Sequence, residues 1–123
     1  MKRAVRPGVA GEAEEERVGL EAATGGGLAM PPDADPETEK LFRAFVRDGR
    51  IVAMPAKYSR RRVLLDYVAR LFEPGVRYPE KDVNDMLSLV YDDFAELRRF
   101  LVDEGFMTRE YAVYWRSGGT VDI

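Results

Sequence analysis

Apolar positions from residue 36 onward recur at helical spacing in four stretches, each bounded by residues that favour helix ends. A spacing of three or four residues places apolar side chains on one helical face, which a core can then bury. The pattern predicts helices over residues 36–47, 59–72, 79–90 and 93–104, with Asp35, Ser59 and either Asp92 or Asp93 as caps. Short extended segments are predicted over residues 50–54, 76–78, 106–109 and 112–115.

The order of these elements is typical of a winged helix, in which three helices are followed by a two-stranded ribbon. We therefore predict an α+β, mostly helical fold: a winged-helix-type domain with a three-helix core and a two-stranded wing. An extra N-terminal helix and a short strand precede that core. The predicted domain covers residues 36–118 and is followed by a short tail, 119–123. Residues 1–35 are predicted to be a disordered acidic, Gly-rich arm, because their apolar residues are sparse.

Composition excludes several kinds of chemistry. The chain of 123 residues has no cysteine and no histidine, so it lacks thiolate nucleophiles, disulfides and the commonest general base and metal ligand. The serines have no such base to activate them. We therefore expect a protein that is not an enzyme, with no catalytic residues, no metal and no cofactor.

The net charge of −3 comes from the arm, where residues 1–35 hold four cations and seven acids. The remaining chain is neutral and lacks the overall basic charge of many nucleic-acid binders, so the distribution of charge must decide. No apolar run approaches the roughly 20 residues that span a bilayer. Neither a membrane segment nor a secretory signal is predicted, and a cytoplasmic location is expected.

The stretch before and into the second helix is the most informative chemically. Four cations at a helix start are unfavourable next to the positive end of the helix dipole unless an anion binds there. Guanidinium groups, a hydroxyl and free backbone N–H groups together suit a phosphate or carboxylate. The candidate anion or nucleic-acid site is therefore formed by Lys57, Ser59, Arg60, Arg61 and Arg62. The alternative is a solvated basic face.

The fourth helix is the element with which a winged helix would read DNA. Its outward arc presents mainly acids in the N-terminal half, which counts against major-groove readout because carboxylates repel phosphates. Arg99 on this helix and Arg116 on the wing are the further candidate nucleic-acid contacts. Strand alternation places Trp115 towards the core and Tyr114 and Arg116 on the opposite, exposed face.

A spaced set of residues within 41–116 resembles a bacterial family, domain of unknown function 2087, a winged-helix-like module. The residues that carry this resemblance are Pro55-Ala56-Lys57, Arg61-Arg62, Phe72-Glu73-Pro74-Gly75, Tyr78, Val83-Asn84, Asp92-Asp93, Leu97-Arg98-Arg99, Leu101-Val102-Asp103, Gly105 and Tyr114-Trp115-Arg116. The family occurs alone or behind the DNA-binding domain of ArsR-type regulators. The resemblance implies a part in transcriptional regulation, but it brings no established site residues. The 35-residue arm is too short and polar for a separate helix-turn-helix, so this chain is expected to act alone or through a partner.

Two functions stay open. The first is a nucleic-acid-binding or transcription-associated module whose cations contact the phosphate backbone. The second is a protein-interaction or dimerisation module in which a partner or second copy binds the leading helix. An exposed apolar patch around Phe42, Phe45 and Val46 would favour the second function.

Overall fold

The computed structural model describes residues 27–120 as an α+β fold, with four helices and two small antiparallel sheets in that part of the chain. The helices are α1 (Pro36–Phe45), α2 (Tyr58–Ala69), α3 (Glu80–Ser88) and α4 (Phe94–Asp103). The strands are β1 (Val46–Arg47), β2 (Arg50–Ile51), β3 (Arg77–Pro79), β4 (Met107–Glu110) and β5 (Val113–Arg116).

Helix α1 begins at its predicted cap, where the Asp35 carboxylate accepts a hydrogen bond from the Thr38 backbone N–H at 2.8 Å. This bond favours the ionised carboxylate and lowers the pKa of Asp35 below its usual 3.8. The helix ends at Phe45, two residues earlier than predicted. The reason is the Asp48-Gly49 turn, whose φ angles of 53° and 80° suit a tight hairpin and draw Val46 and Arg47 into strand β1.

The segment just before α1 contacts this hairpin. The Leu28 backbone N–H donates to the Gly49 carbonyl at 2.8 Å, and the Leu28 side chain is buried in the core. A Cβ atom on Gly27 would lie only 2.8 Å from the Gly49 Cα, so the backbone would have to shift if Gly27 carried a side chain. Residues 27–35, predicted as the end of the arm, therefore include a residue of the core. The prediction for residues 1–26 lies outside the described part of the chain.

Helix α2 supplies the centre of the core. Leu64, Leu65 and Val68 are fully buried, whereas Val63, predicted on the apolar stripe, is 40% exposed. The predicted phase is shifted because α2 packs against both α1 and α4 and so buries a wider face than a single stripe. No helix within residues 27–120 is long and apolar enough to cross a membrane.

The predicted two-stranded wing is part of a three-stranded antiparallel sheet in the order β3-β5-β4. Strand β5 is central, with Tyr114 opposite Tyr78 on one side and Arg109 on the other. Tyr114 is buried and Trp115 only half-buried, so the predicted facing of these two residues was wrong. The inner face of the sheet packs towards α3 and α4. The Trp115 ring lies on the outer face, where the Arg77 guanidinium carbon is 4.0 Å from the ring centroid.

Candidate nucleic-acid interface

The start of α2 differs from its prediction. The helix begins at Tyr58, with Lys57 as the N-cap, and no side chain caps it. Ser59 is thus the second helical residue rather than the predicted cap. Lys57, Ser59 and Arg60 are exposed, and Ser59 and Arg60 line a depression of about 230 Å³ that also involves the beginning of α1.

The Arg61 guanidinium forms an ion pair inside the fold. Its Nε lies 2.7 Å from a carboxylate oxygen of Glu104, and the two side chains are 17% and 8% exposed. The Arg61 guanidinium also lies over the Phe100 ring, 4.8 Å from the centroid. Because Glu104 follows α4, this predicted anion-binding residue instead joins α2 to the end of α4.

Arg62 serves the same junction. It donates to the backbone carbonyl of Glu104 at 2.7 Å and lies over the Phe106 ring, 4.6 Å from the centroid. A cation that donates to a carbonyl at a helix C-terminus is stabilised by the helix dipole. The structure therefore does not bring the predicted group of four cations together: Lys57 and Arg60 remain on the surface, and Arg61 and Arg62 turn to Glu104.

Arg116, the predicted wing contact, is also engaged within the fold. Its guanidinium donates to the carbonyls of Phe72 at 3.3 Å, Gly118 at 3.4 Å, and Thr120. The Thr120 N–H in turn donates to Asp66 at 2.7 Å. This network holds Gly118 and residues 119–120 of the predicted tail against the domain, while residues 121–123 lie outside the described part.

Arg99 lines a different feature, a cleft of about 360 Å³ between α4, the first residue of α3 and the sheet. We call this feature the arginine cleft. It carries three guanidinium groups against two carboxylates, with a tyrosine and a valine between them. Its lining residues are Glu80, Arg98, Arg99, Val102, Asp103, Arg109 and Tyr114.

Hydrogen bonds fix the floor of the arginine cleft. The Tyr114 hydroxyl donates to Glu80 at 2.8 Å, and the Arg109 Nε lies 3.8 Å from the same carboxylate oxygen. Burial, followed by this hydrogen bond, raises the pKa of Tyr114 above its usual 10.0. Arg98 donates to the Asn84 side-chain oxygen, which holds its guanidinium beside α3.

Arg99 has no ion-pair partner within residues 27–120, and its side chain is exposed. Arg109 is about half exposed, and its contact with Glu80 is long. Planar guanidinium groups can donate two parallel hydrogen bonds to a phosphate or carboxylate. The cleft therefore offers convergent donors to an anionic group from solvent.

The acids at the start of α4 each have a partner within the fold. Asp93 is the N-cap and accepts from the Glu96 N–H at 3.1 Å, which settles the choice between Asp92 and Asp93. Asp92 pairs with Arg50, and Glu96 accepts from the Tyr91 hydroxyl at 3.1 Å. Burial and this hydrogen bond raise the pKa of Tyr91. These carboxylates thus cap and brace the helix. No group of acidic residues within 27–120 has the arrangement of a metal site.

Comparison with known protein families shows to which family the chain belongs. One family profile, DUF2087, described as an uncharacterized protein conserved in bacteria, matches residues 50–116, more than half of the chain. The chain belongs to the DUF2087 family. No curated protein and no solved structure matches the sequence. The DUF2087 region runs from β2 to β5 and so includes the arginine cleft, whereas α1 precedes it.

Sequence patterns identified only Arg99 among the three arginines of this DUF2087 cleft. Arg98 and Arg109 were not among the candidate contacts, and Arg98 is hydrogen-bonded to Asn84. Arg109 reaches the cleft because strand pairing sets it opposite Tyr114, with Glu80 beyond. The hairpin register was the signal that could have found it, since the two predicted strands and their short connection already place residues 109 and 114 near each other.

Proposed function

We propose that this DUF2087 domain is a non-enzymatic winged-helix-type module that binds nucleic acid through the phosphate backbone, in the context of transcriptional regulation. The observation that carries the proposal is the arginine cleft, where guanidinium groups from α4 and β4 converge on one opening. Phosphate contacts by arginine supply most of the sequence-independent affinity of nucleic-acid-binding proteins.

The order and pairing of the elements support the winged-helix comparison. Helices α2, α3 and α4 follow one another, and the β4–β5 ribbon comes directly after α4. Strand β3, which lies between the first two of these helices, completes the sheet beside β5. In a winged helix the third helix and the adjoining ribbon form the nucleic-acid surface, and the arginine cleft lies between the corresponding elements, α4 and β4.

The position of the charges favours backbone contacts over reading of bases. Asp92 and Asp93 directly precede α4, and Glu96 lies in its first turn, so these carboxylates would meet phosphates if that end entered the major groove. Arg98 and Arg99 lie at the middle of α4 and line the same cleft as Arg109 of β4. We therefore expect modest sequence preference and strong dependence on ionic strength.

The proposal is tested by replacing the two more accessible cleft arginines together, Arg99→Ala with Arg109→Ala. Binding of labelled oligonucleotides at low salt is measured by fluorescence anisotropy. Two lost phosphate contacts are expected to weaken binding by roughly tenfold or more. The matched control, Arg43→Ala with Lys81→Ala, removes the same charge from exposed residues outside the cleft and should bind within about twofold of the unmodified protein. Equal losses in both variants would reject the cleft as the contact surface.

The interaction-module alternative gains little from the leading helix. Leu41 and Phe42 are buried, and Phe45 and Val46 pack partly against the core. The exposed apolar patch that would favour a partner on α1 is therefore largely covered by the domain itself. We accordingly prefer nucleic-acid binding to dimerisation through this helix.

A further inference from the structure

Tyr111 stands out on the surface because the residue is 89% exposed, the largest exposure among the bulky apolar and aromatic residues of the described chain. It forms, with Ala112, the two-residue connection between β4 and β5. This connection is the tip of the ribbon, two residues beyond Arg109 of the arginine cleft. At a strand rise of about 3.3 Å per residue, some 7 Å separates the two backbone positions.

The backbone at Tyr111 is also unusual. Its φ of 58° lies in the left-handed region, which a residue with a Cβ atom rarely adopts. Two-residue hairpin connections normally place Gly, Asn or Asp at such a position. Aromatic residues gain nothing locally there, so neither the turn conformation nor burial accounts for a tyrosine at this tip.

The other five tyrosines of the chain each have a defined contact. Tyr67 packs edge-on against Phe42, and Tyr58 lies beneath Arg61. The hydroxyls of the remaining three, Tyr78, Tyr91 and Tyr114, take part in hydrogen bonds. Within residues 27–120, Tyr111 makes none of these contacts: its ring is unstacked and its hydroxyl has no hydrogen-bond partner. A strained, solvated aromatic side chain beside a cationic cleft is suited to stacking against a ring of a bound ligand.

We propose that Tyr111 stacks on an unpaired base of single-stranded nucleic acid whose phosphates bind in the arginine cleft. This inference rests on the proposed function and specifies its ligand. Proteins that hold single strands combine cationic grooves with aromatic platforms, because every base offers a flat face to a ring. Side chains that wedge between the steps of an intact duplex are instead mainly aliphatic or Phe. The acids at the start of α4 disfavour the major groove of a duplex as well.

Two substitutions separate the ring from the turn. Tyr111→Asn removes the aromatic ring but suits a positive φ, so the variant is expected to fold with a urea midpoint at or above that of the unmodified protein. Tyr111→Phe retains the ring and loses only the hydroxyl. Anisotropy is measured with a labelled mixed-sequence single strand and with the duplex formed from the same strand.

The expected result is a preference of the unmodified protein for the single strand, which Tyr111→Asn weakens about 5- to 150-fold, as for loss of one stacked base. Tyr111→Phe should remain within about twofold. Single strands with abasic positions should bind the unmodified protein more weakly than complete strands do. The affinity of the Tyr111→Asn variant should be almost the same for both kinds of strand. Two results would overturn the stacking proposal and leave the proposed function standing. The first is an equal single-strand affinity of Tyr111→Asn and the unmodified protein, and the second is a preference of the unmodified protein for the duplex.

Two further outcomes are distinguishable. If neither single strands nor duplexes bind even at low salt, the proposed function itself fails and the stacking proposal fails with it. If sedimentation shows a dimer of the unmodified protein that Tyr111→Asn converts to a monomer, the ribbon tip is a protein contact. That result would overturn the assignment of Tyr111 to nucleic acid.

Discussion

Glu104 shows, at the scale of single residues, how a cationic motif can serve the fold. Its side chain is 8% exposed and pairs with Arg61, while its backbone carbonyl accepts from Arg62. Three consecutive arginines at a helix start suggested one anion site, because nothing local reveals a carboxylate 43 positions away along the chain. The sequence shows which residues are cationic, but their partner is set by how α2 packs against the end of α4.

This ion pair leads to a stability prediction. Glu104→Gln is expected to lower the free energy of unfolding by about 1–3 kcal/mol, because a largely buried arginine loses its charged acceptor. The matched control is Glu39→Gln, which removes the same group from an exposed pair with Arg43 and should cost below about 0.5 kcal/mol. Urea denaturation measures both values. Equal costs in the two variants would mean that the Arg61–Glu104 pair contributes no more than a surface pair.

Tyr114 links stability to alkaline pH. Burial and the hydrogen bond to Glu80 raise its pKa in the folded protein above the usual 10.0. The folded state therefore holds this proton more tightly than the unfolded chain, so the stabilisation is complete below pH 10 and is lost as pH rises above it. The fall in unfolding free energy between pH 9 and pH 11 should be smaller in Tyr114→Phe. An unchanged fall would show that Tyr114 does not contribute to the alkaline transition.

At the scale of elements, the existence of all four helices was predictable from apolar spacing, while the ends and facings were less so. Helix α1 ends early because the Asp48-Gly49 turn forms a hairpin, and the same two residues also favour a helix end, so the sequence alone does not distinguish the two. The predicted facings of Tyr114 and Trp115 were wrong because the sheet packs the face that carries Tyr114 towards α3 and α4. Alternation gives two faces, but only tertiary packing decides which one is buried.

Two leucines test which side chains of α4 and of the connection before it are buried. Leu97 on α4 is fully buried, whereas Leu89, one residue after α3, is 53% exposed. Leu97→Ala is expected to cost about 2–5 kcal/mol through lost burial and a residual cavity. Leu89→Ala should cost below about 1 kcal/mol, because little of its surface leaves water on folding. Denaturation curves with similar shifts for both would contradict the described packing of this region.

At the scale of the whole molecule, the arginine cleft is assembled from parts far apart in sequence. Glu80 begins α3, Arg98 and Arg99 lie on α4, and Arg109 and Tyr114 come from neighbouring strands. Each residue alone reads as an ordinary surface or core position. Their convergence depends on the packing of α3 and α4 against the sheet, which sequence spacing does not encode directly. The sequence therefore indicated candidate cationic contacts but could not show that Arg98, Arg99 and Arg109 line one cleft.

The most direct test of nucleic-acid binding by this cleft is the salt dependence of affinity. Anisotropy with a single strand and its duplex, from about 20 to 200 mM salt, gives the slope of log affinity against log salt concentration. We predict a slope of several units for the unmodified protein, reduced in magnitude by about 1–2 units when Arg99 and Arg109 are both alanine. Absence of binding at the lowest salt, or an identical slope in the double variant, would contradict this account.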